Sequence, residues 1–187
     1  EGVWEFYRFR IAGLEDVVPN DGHRALADLE SRSDRFWLIT QNVDGLHRAA
    51  GSRNVIELHG TLDTARCQAC SYRCPSAELP DQPVPACPIC GNRLRPAVVW
   101  FGESLPDEAL ARAEEAIGAC ELMLVVGTSG VVQPASSFAR WAQSRGARVV
   151  EVNLERTPIS DAADVSLFGP AGVVLPRLVD MATRDRA

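Results

Sequence analysis

The stretch Leu122-Met123-Leu124-Val125-Val126-Gly127-Thr128-Ser129 decides the fold class. Five apolar residues in a row, closed by a glycine and two hydroxyls, read as a short strand buried on both faces with a polar turn at its carboxyl end. Before it, an amphipathic helix is predicted from about Pro106 to Cys120; after it come a helix from Ala135 to Arg145 and a strand from Arg148 to Asn153. Further upstream, Phe36–Thr40 and Val55–Leu58 are apolar runs of the same type, and Ala97–Phe101 is another. Helices are expected over Trp4–Ile11, after an N-cap at Asn20, over Leu46–Ala50, and in a short tail from Pro176. Apolar strands alternating with helices predict an α/β protein, a doubly wound parallel sheet covered on both faces.

One stretch breaks the alternation. From Thr61 to Pro96 the chain is rich in proline, poor in hydrophobic periodicity, and carries two CxxC pairs, Cys67–Cys70 and Cys87–Cys90. Such a segment buries little apolar area and needs a staple. Sixteen residues separate the pairs, a spacing that lets two knuckles place four thiolates tetrahedrally around one zinc ion. Four thiolates close the coordination shell, so the predicted zinc is structural and takes no part in chemistry. Cys74, close to the first pair, is a possible but unneeded fifth ligand, and Cys120 lies in an apolar context that fits a small core residue. The expected organisation is a helical segment over residues 1–30, a sheet domain from 31–60 and 97–187, and a zinc-ribbon insertion over 61–96.

Composition excludes several classes. The formal charge is -6, and every one of the 19 basic residues is arginine. Nucleic-acid binding normally shows as a basic patch, which this balance disfavours. Within the ribbon, Arg66, Arg73, Arg93 and Arg95 stand against Asp63, Glu78 and Asp81, again near balance. Neither a membrane span nor a secretory signal pattern is legible, so paired thiols in a reducing cytoplasm are expected. A monomer is the expectation for the assembly.

In open α/β sheets, ligands bind beyond the carboxyl ends of the strands. Three polar clusters fall at such ends: Thr40-Gln41-Asn42-Val43-Asp44, Gly127-Thr128-Ser129 and Asn153-Leu154-Glu155. His59 falls at a fourth. Any one of them is adequately explained as a turn or helix cap, because Asn, Asp, Ser and Gly serve both purposes. Together on one sheet edge they describe a pocket for a polar, ribose-containing ligand, with Glu155 in reach of ribose hydroxyls. His23 and His47 are assigned packing or helix-positioning roles.

These motifs, with Glu57-Leu58-His59-Gly60, the CxxC pairs and Val99-Trp100-Phe101-Gly102-Glu103, occur here in the order seen in sirtuins, and the resemblance covers nearly the whole chain. It implies a Rossmann-type domain with an inserted small helical and zinc-ribbon module. It further implies an NAD-dependent protein-lysine deacylase. By that resemblance Gln41, Asn42 and Asp44 hold the nicotinamide and its ribose. Gly127, Thr128 and Ser129 meet the phosphates and ribose, while Asn153, Leu154, Glu155 and Ala171 serve the adenosine side. Phe101, Gly102 and Glu103, with Val131, Val132 and Gln133, hold the acylated substrate peptide as an added strand, a mode in which main-chain bonds supply the affinity. The implied chemistry begins when the acyl oxygen of the substrate lysine displaces nicotinamide. His59 then takes a proton from a ribose hydroxyl, which captures the acyl group, and water releases lysine. Histidine suits that task because both of its protonation states are accessible near neutral pH.

The first helix narrows the acyl group. Tyr7 and Arg10 are three residues apart and project from one helical face. A phenol and a guanidinium converging on an acyl tunnel would bind a distal carboxylate. The pair resembles the Tyr-x-x-Arg of class III sirtuins, which implies succinyl-, malonyl- or glutaryl-lysine as substrate in preference to acetyl-lysine. The family's Gly-Ala-Gly phosphate loop has no counterpart in the 187 residues, so the sequence is expected to be part of a longer chain. The alternatives are an NAD-dependent deacetylase, a non-catalytic module that binds NAD or ADP-ribose, and a zinc-ribbon interaction module.

Overall fold

The computed structural model describes residues 2–80 and 82–184. In chain order the elements are α1 (Gly2–Ala12), α2 (Asp21–Ser31), β1 (Leu38–Thr40), α3 (Leu46–Ala49), β2 (Val55–Glu57), β3 (Gly60–Cys67), β4 (Arg73–Pro75) and β5 (Leu94–Val98). They continue as α4 (Asp107–Ala119), β6 (Leu122–Val126), α5 (Phe138–Ser144), β7 (Arg148–Asn153), β8 (Val165–Phe168) and α6 (Ala171–Arg184). The chain divides into two compact units. One comprises the residues up to Val18 with Thr40–Leu46 and Glu57–Pro106; the other comprises Pro19–Ile39, His47–Ile56 and everything from Asp107 onward.

The first unit is an antiparallel sheet in the order β4-β3-β5. Its turn into β3 depends on Gly60, whose φ of 74° is left-handed and whose absent Cβ would sit 1.9 Å from the Ala97 carbonyl oxygen. One face of the sheet carries Ala65, Cys67 and Leu94, which with Cys87 and Trp4 make the core. Trp4 anchors α1 there: it is buried to 3 % exposure and its indole N–H donates to the Leu94 carbonyl at 2.9 Å. A buried indole with its one donor satisfied is an efficient pin.

The second unit holds a parallel sheet in the order β6-β7-β8, paired in register from Leu122↔Arg148 and Val150↔Val165. Helices α5 and α6 lie against β7. The core joins Ala25 and Leu26 of α2, Leu38, Val55, Val152, and Leu175 and Val179 of α6. Asn20 caps α2 through a capping box: its Oδ1 accepts from the N–H groups of Gly22 and His23, and its own N–H donates to His23 Nδ1 at 3.2 Å. Strands β1 and β2 form a two-stranded sheet.

Several expectations change in detail. The strand read at Ala97–Phe101 is β5, begins at Leu94, and runs antiparallel to β3 rather than joining a parallel sheet. Residues 97–106 therefore belong with the ribbon, and the segment 1–30 divides at Val18/Pro19. The tail helix starts at Ala171, five residues before Pro176, which sits inside it. Proline suits the first turn of a helix because it lacks the N–H an interior position needs, yet here it lies inside one. Strand β8 was not anticipated; four residues preceded by Ala163-Asp164 give too little pattern to register.

Candidate active site

His59 follows β2 and precedes β3, and its neighbours fix it at both ends. The Val99 N–H donates to its main-chain carbonyl at 2.8 Å, and its Nδ1 lies 3.0 Å from the Gln41 carbonyl oxygen. A carbonyl only accepts, so Nδ1 carries the proton. In the neutral ring Nε2 is then the unprotonated nitrogen, the form a general base requires.

The Gln41–Asp44 loop is tied down by its own polar groups. Thr40 Oγ1 accepts from the Asn42 N–H at 3.1 Å, Asp44 Oδ1 accepts from the Leu46 N–H at 3.0 Å, and the Leu62 N–H donates to the Val43 carbonyl at 2.9 Å. Asp44 thus caps α3 with one oxygen and retains acceptor capacity on the other. Gly45 turns with a φ of 71°, and a Cβ there would meet Asp63 Oδ2 at 2.5 Å.

A second organised cluster caps the same unit. Arg95 is buried, yet its guanidinium bonds both carboxylate oxygens of Glu103, at 3.1 Å for the Nη2–Oε2 bond, and donates to the Val98 carbonyl at 2.8 Å. Its charge centre stacks 3.3 Å from the Trp100 ring, and Glu103 accepts from the Trp100 N–H at 2.9 Å. The arginine beside it holds the Glu103 carboxyl below the usual range, against an opposing push from burial. This clamp folds the chain into a tight turn with Gly102 at φ 86° and Phe101 fully exposed.

In the second unit, the predicted nucleotide residues sit where β6 and β7 end. Gly127, at φ 61°, donates its N–H to the Val152 carbonyl at 2.9 Å, and Asn153 Nδ2 donates to the Thr128 carbonyl at 2.8 Å. The Leu154 N–H donates to Asn153 Oδ1 at 2.9 Å, so Asn153 holds both turns through their main chains. Ser129, Leu154 and Glu155 are exposed. Ala171 opens α6 and touches α2, since a Cβ on Gly22 would lie 3.2 Å from its carbonyl. Val131, Val132 and Gln133 are exposed in this unit, while Phe101, Gly102 and Glu103 belong to the first.

The sulfur atoms of Cys67, Cys70, Cys87 and Cys90 all lie within 4.8 Å of one another. Contacts of 3.5 Å for Cys67–Cys90 and 3.6 Å for Cys70–Cys87 are too long for disulfides and close to the roughly 3.8 Å edge that a tetrahedron of 2.3 Å Zn–S bonds requires. The Ala69 N–H leads the effects that pull the Cys67 thiol down to about 6. The Tyr72 N–H acts in the same sense on Cys70, but burial and the neighbouring thiols push that group up to about 12. Without a cation the four cannot all ionise, and a divalent ion removes the conflict. The four cysteines are positioned to bind a structural zinc.

The Sir2 family profile matches residues 2–134. The chain belongs to the Sir2 family. Its relatives include the NAD-dependent protein deacylases of Thermococcus kodakarensis and Thermus thermophilus, each 48% identical, over 95% and 100% of this chain and 72% and 75% of theirs. A Sir2 homologue solved with NAD superposes with a TM-score of 0.93 at 42% identity, over 98% of this chain and 72% of that one. Sir2 bound to an acetylated peptide gives 0.84 at 33% identity, over 97% and 78%. The sirtuin chain therefore spans about three quarters of these proteins.

Two residues of this sirtuin escaped the sequence reading. Arg95 enters the sequence reading only in the charge balance of the ribbon, although a lone cation in the apolar run Leu94–Val99 is a signal of pairing. Glu151 lies in β7 between Val150 and Val152 and is fully buried. Its carboxylate accepts from Thr157 and Ser160 at 2.5 Å and from Ser166 at 2.8 Å. Burial pushes its pKa up, but Ser160, Thr157, Ser166 and Asn153 together hold it below its ordinary value.

Proposed function

We propose that this sirtuin is an NAD-dependent protein-lysine deacylase that uses His59 as its base and favours acyl groups ending in a carboxylate. The observation that carries the catalytic reading is the contact between His59 Nδ1 and the Gln41 carbonyl, which leaves Nε2 to accept a proton. Bound NAD supplies an electrophilic ribose carbon to receive the acyl oxygen. The chain's part is to hold the two reactants and move one proton. Asp44 and Asn42 present acceptors and donors for the nicotinamide ribose. Glu155, exposed after β7, is an acceptor for the adenosine ribose, and Thr128 and Ser129 offer hydroxyls toward the phosphates. Phe101–Glu103 and, separately, Val131–Gln133 each offer main-chain groups to the substrate peptide. Among the described residues no helix is long and apolar enough to cross a membrane, and all six cysteines are free, which fits a reducing cytoplasm.

The acyl preference rests on α1. Trp4 pins the helix, and Tyr7 and Arg10 lie one turn apart beyond it. The Arg10 guanidinium lies 6.0 Å from the Phe6 ring and forms no ion pair with a described carboxylate. Charge and phenol are thus both available to a carboxylate on the acyl chain. The test measures initial rates on one peptide carrying succinyl- or acetyl-lysine. Arg10→Met is expected to cut succinyl turnover severely and spare acetyl turnover; a parallel fall in both sinks the carboxylate reading and leaves a deacetylase.

A further inference from the structure

The register of the ribbon sheet puts three arginines in one row. Arg66 of β3 pairs directly with Arg73 of β4 on one side and with Arg95 of β5 on the other. Directly opposed residues share a face, with Cβ atoms about 5 Å apart, and like charges so placed repel. The opposite face, with Ala65, Cys67 and Leu94, is the core, so the row lies on the face away from Trp4 and the zinc ligands. Among the described residues one carboxylate answers these three cations. Glu103 is taken up by Arg95, while Arg66 and Arg73 make no ion pair among the described residues. Arg66 is half-buried and Arg73 exposed. A sheet that spends this repulsion without a partner presents an anion site waiting for its anion.

The place of the row identifies the anion. Arg95 ends it beneath Trp100 and Glu103, the turn that carries Phe101 at its tip. Strands lie about 4.8 Å apart, so Arg73 stands roughly 10 Å from the Arg95 end of the row. An extended peptide advances about 3.3 Å per residue, which places an acidic side chain over Arg66 and Arg73 about two to four residues from the segment held at Phe101–Glu103. We propose that Arg66 and Arg73 form an accessory site for an Asp or Glu side chain of the substrate polypeptide, selecting acyl-lysines with an acidic neighbour. The inference rests on the peptide site of the proposed function and adds a sequence preference to it.

The test uses acyl-lysine peptides that differ only in carrying Glu or Gln at single positions two to four residues to either side. With NAD present, the ratio of kcat/KM for the Glu over the Gln peptide is expected to reach about five at the preferred position in low salt and to shrink toward one in high salt. Arg73→Gln is expected to bring the ratio to about one, and Arg73→Glu to invert it; Arg73 is exposed, so both variants should retain the fold. Arg66→Gln, next to a zinc ligand, is read only where zinc content is unchanged. A ratio near one in the wild type at every position, or a ratio that survives Arg73→Glu, overturns the site. Failure to turn over any peptide, Gln or Glu, instead rejects the deacylase reading beneath it.

Discussion

The unit that carries His59 is centred on Trp4, Ala65, Cys67, Cys87 and Leu94, whereas the other is centred on Ala25, Leu26, Leu38, Val55, Val152, Leu175 and Val179. Two of the five residues in the first core belong to the four-cysteine cluster positioned to bind zinc; the second core is aliphatic throughout. Their buried charges differ in the same way. Arg95 is held by one carboxylate and an indole face, while Glu151 is held by three neutral hydroxyls and no cation. The first unit is thus conditional, its order depending on an ion and a matched charge, and the second rests on burial and ordinary hydrogen bonds. Substitutions that separate these two modes should rank accordingly.

The largest effect is expected from the metal. Structural four-thiolate sites bind zinc with on the order of 10 kcal/mol, which in small modules is folding free energy. Prolonged chelation, or Cys87→Ser, should release the metal, lower Tm substantially and abolish turnover. A chelated protein that keeps its melting profile would show that the first core stands without its ion.

His59→Ala should act on chemistry alone. The ring is half-buried and its Nδ1 contact is to a loop carbonyl, so little packing is lost. Turnover is expected to fall by about 10²- to 10⁴-fold, the usual range for removing a general base, with Tm unchanged within a degree or two. Robust residual deacylation would remove the base assignment.

The clamp gives an asymmetric prediction. Glu103→Ala leaves the Arg95 guanidinium buried without its carboxylate, an arrangement that costs about 3–5 kcal/mol. Arg95→Met leaves Glu103, whose side chain is 34% exposed, free to rehydrate, and inserts an apolar chain into an apolar site. Chemical denaturation should therefore find Glu103→Ala the less stable of the two. The reverse order would mean that Trp100 stacking, and not the ion pair, organises the turn.

Legibility in the sequence follows the same division. Strands β6 and β7 could be bounded to the residue, β6 as an unbroken apolar run and β7 as a valine-rich stretch interrupted only by Glu151. The four-cysteine cluster was equally plain, since its spacing is itself the constraint. What stayed hidden depends on contacts distant in sequence. The antiparallel pairing of β5 with β3 joins Leu94 to Cys67, across the whole ribbon, and no local pattern records it. The arginine row exists only through that register. The resemblance assigns Gln41 to the nicotinamide and its ribose, yet its carbonyl is what fixes the tautomer of His59. Side-chain chemistry is written in the sequence; main-chain acceptors are not.

Glu151 offers the smallest but most discriminating test, because a neutral isostere separates its titration from those of Glu103 and Asp164. Its folded pKa is depressed by Ser160, Thr157 and Ser166 acting against burial. A depressed carboxylate contributes stability that is fully present above its ordinary value of 4.5 and is lost as pH falls through the lower folded value. Unfolding free energy should therefore decline as acid takes the pH below 4.5, the loss being complete below the folded value, and part of the decline should belong to this residue. Glu151→Gln removes the titration but keeps the volume. At neutral pH it is expected to cost about 1–3 kcal/mol, since an amide nitrogen cannot accept from the hydroxyls that now bond a carboxylate oxygen. Below pH 4.5 the gap between wild type and variant should narrow, the variant's profile being the flatter. The hydroxyls of Thr157 and Ser160 belong to the segment that follows Glu155, so the variant should also weaken NAD binding more than peptide binding. A constant gap across the acid range would mean that the carboxylate is protonated in the folded protein. Three hydroxyls would then be satisfied by a neutral acid, and the second unit would hold no buried charge at Glu151.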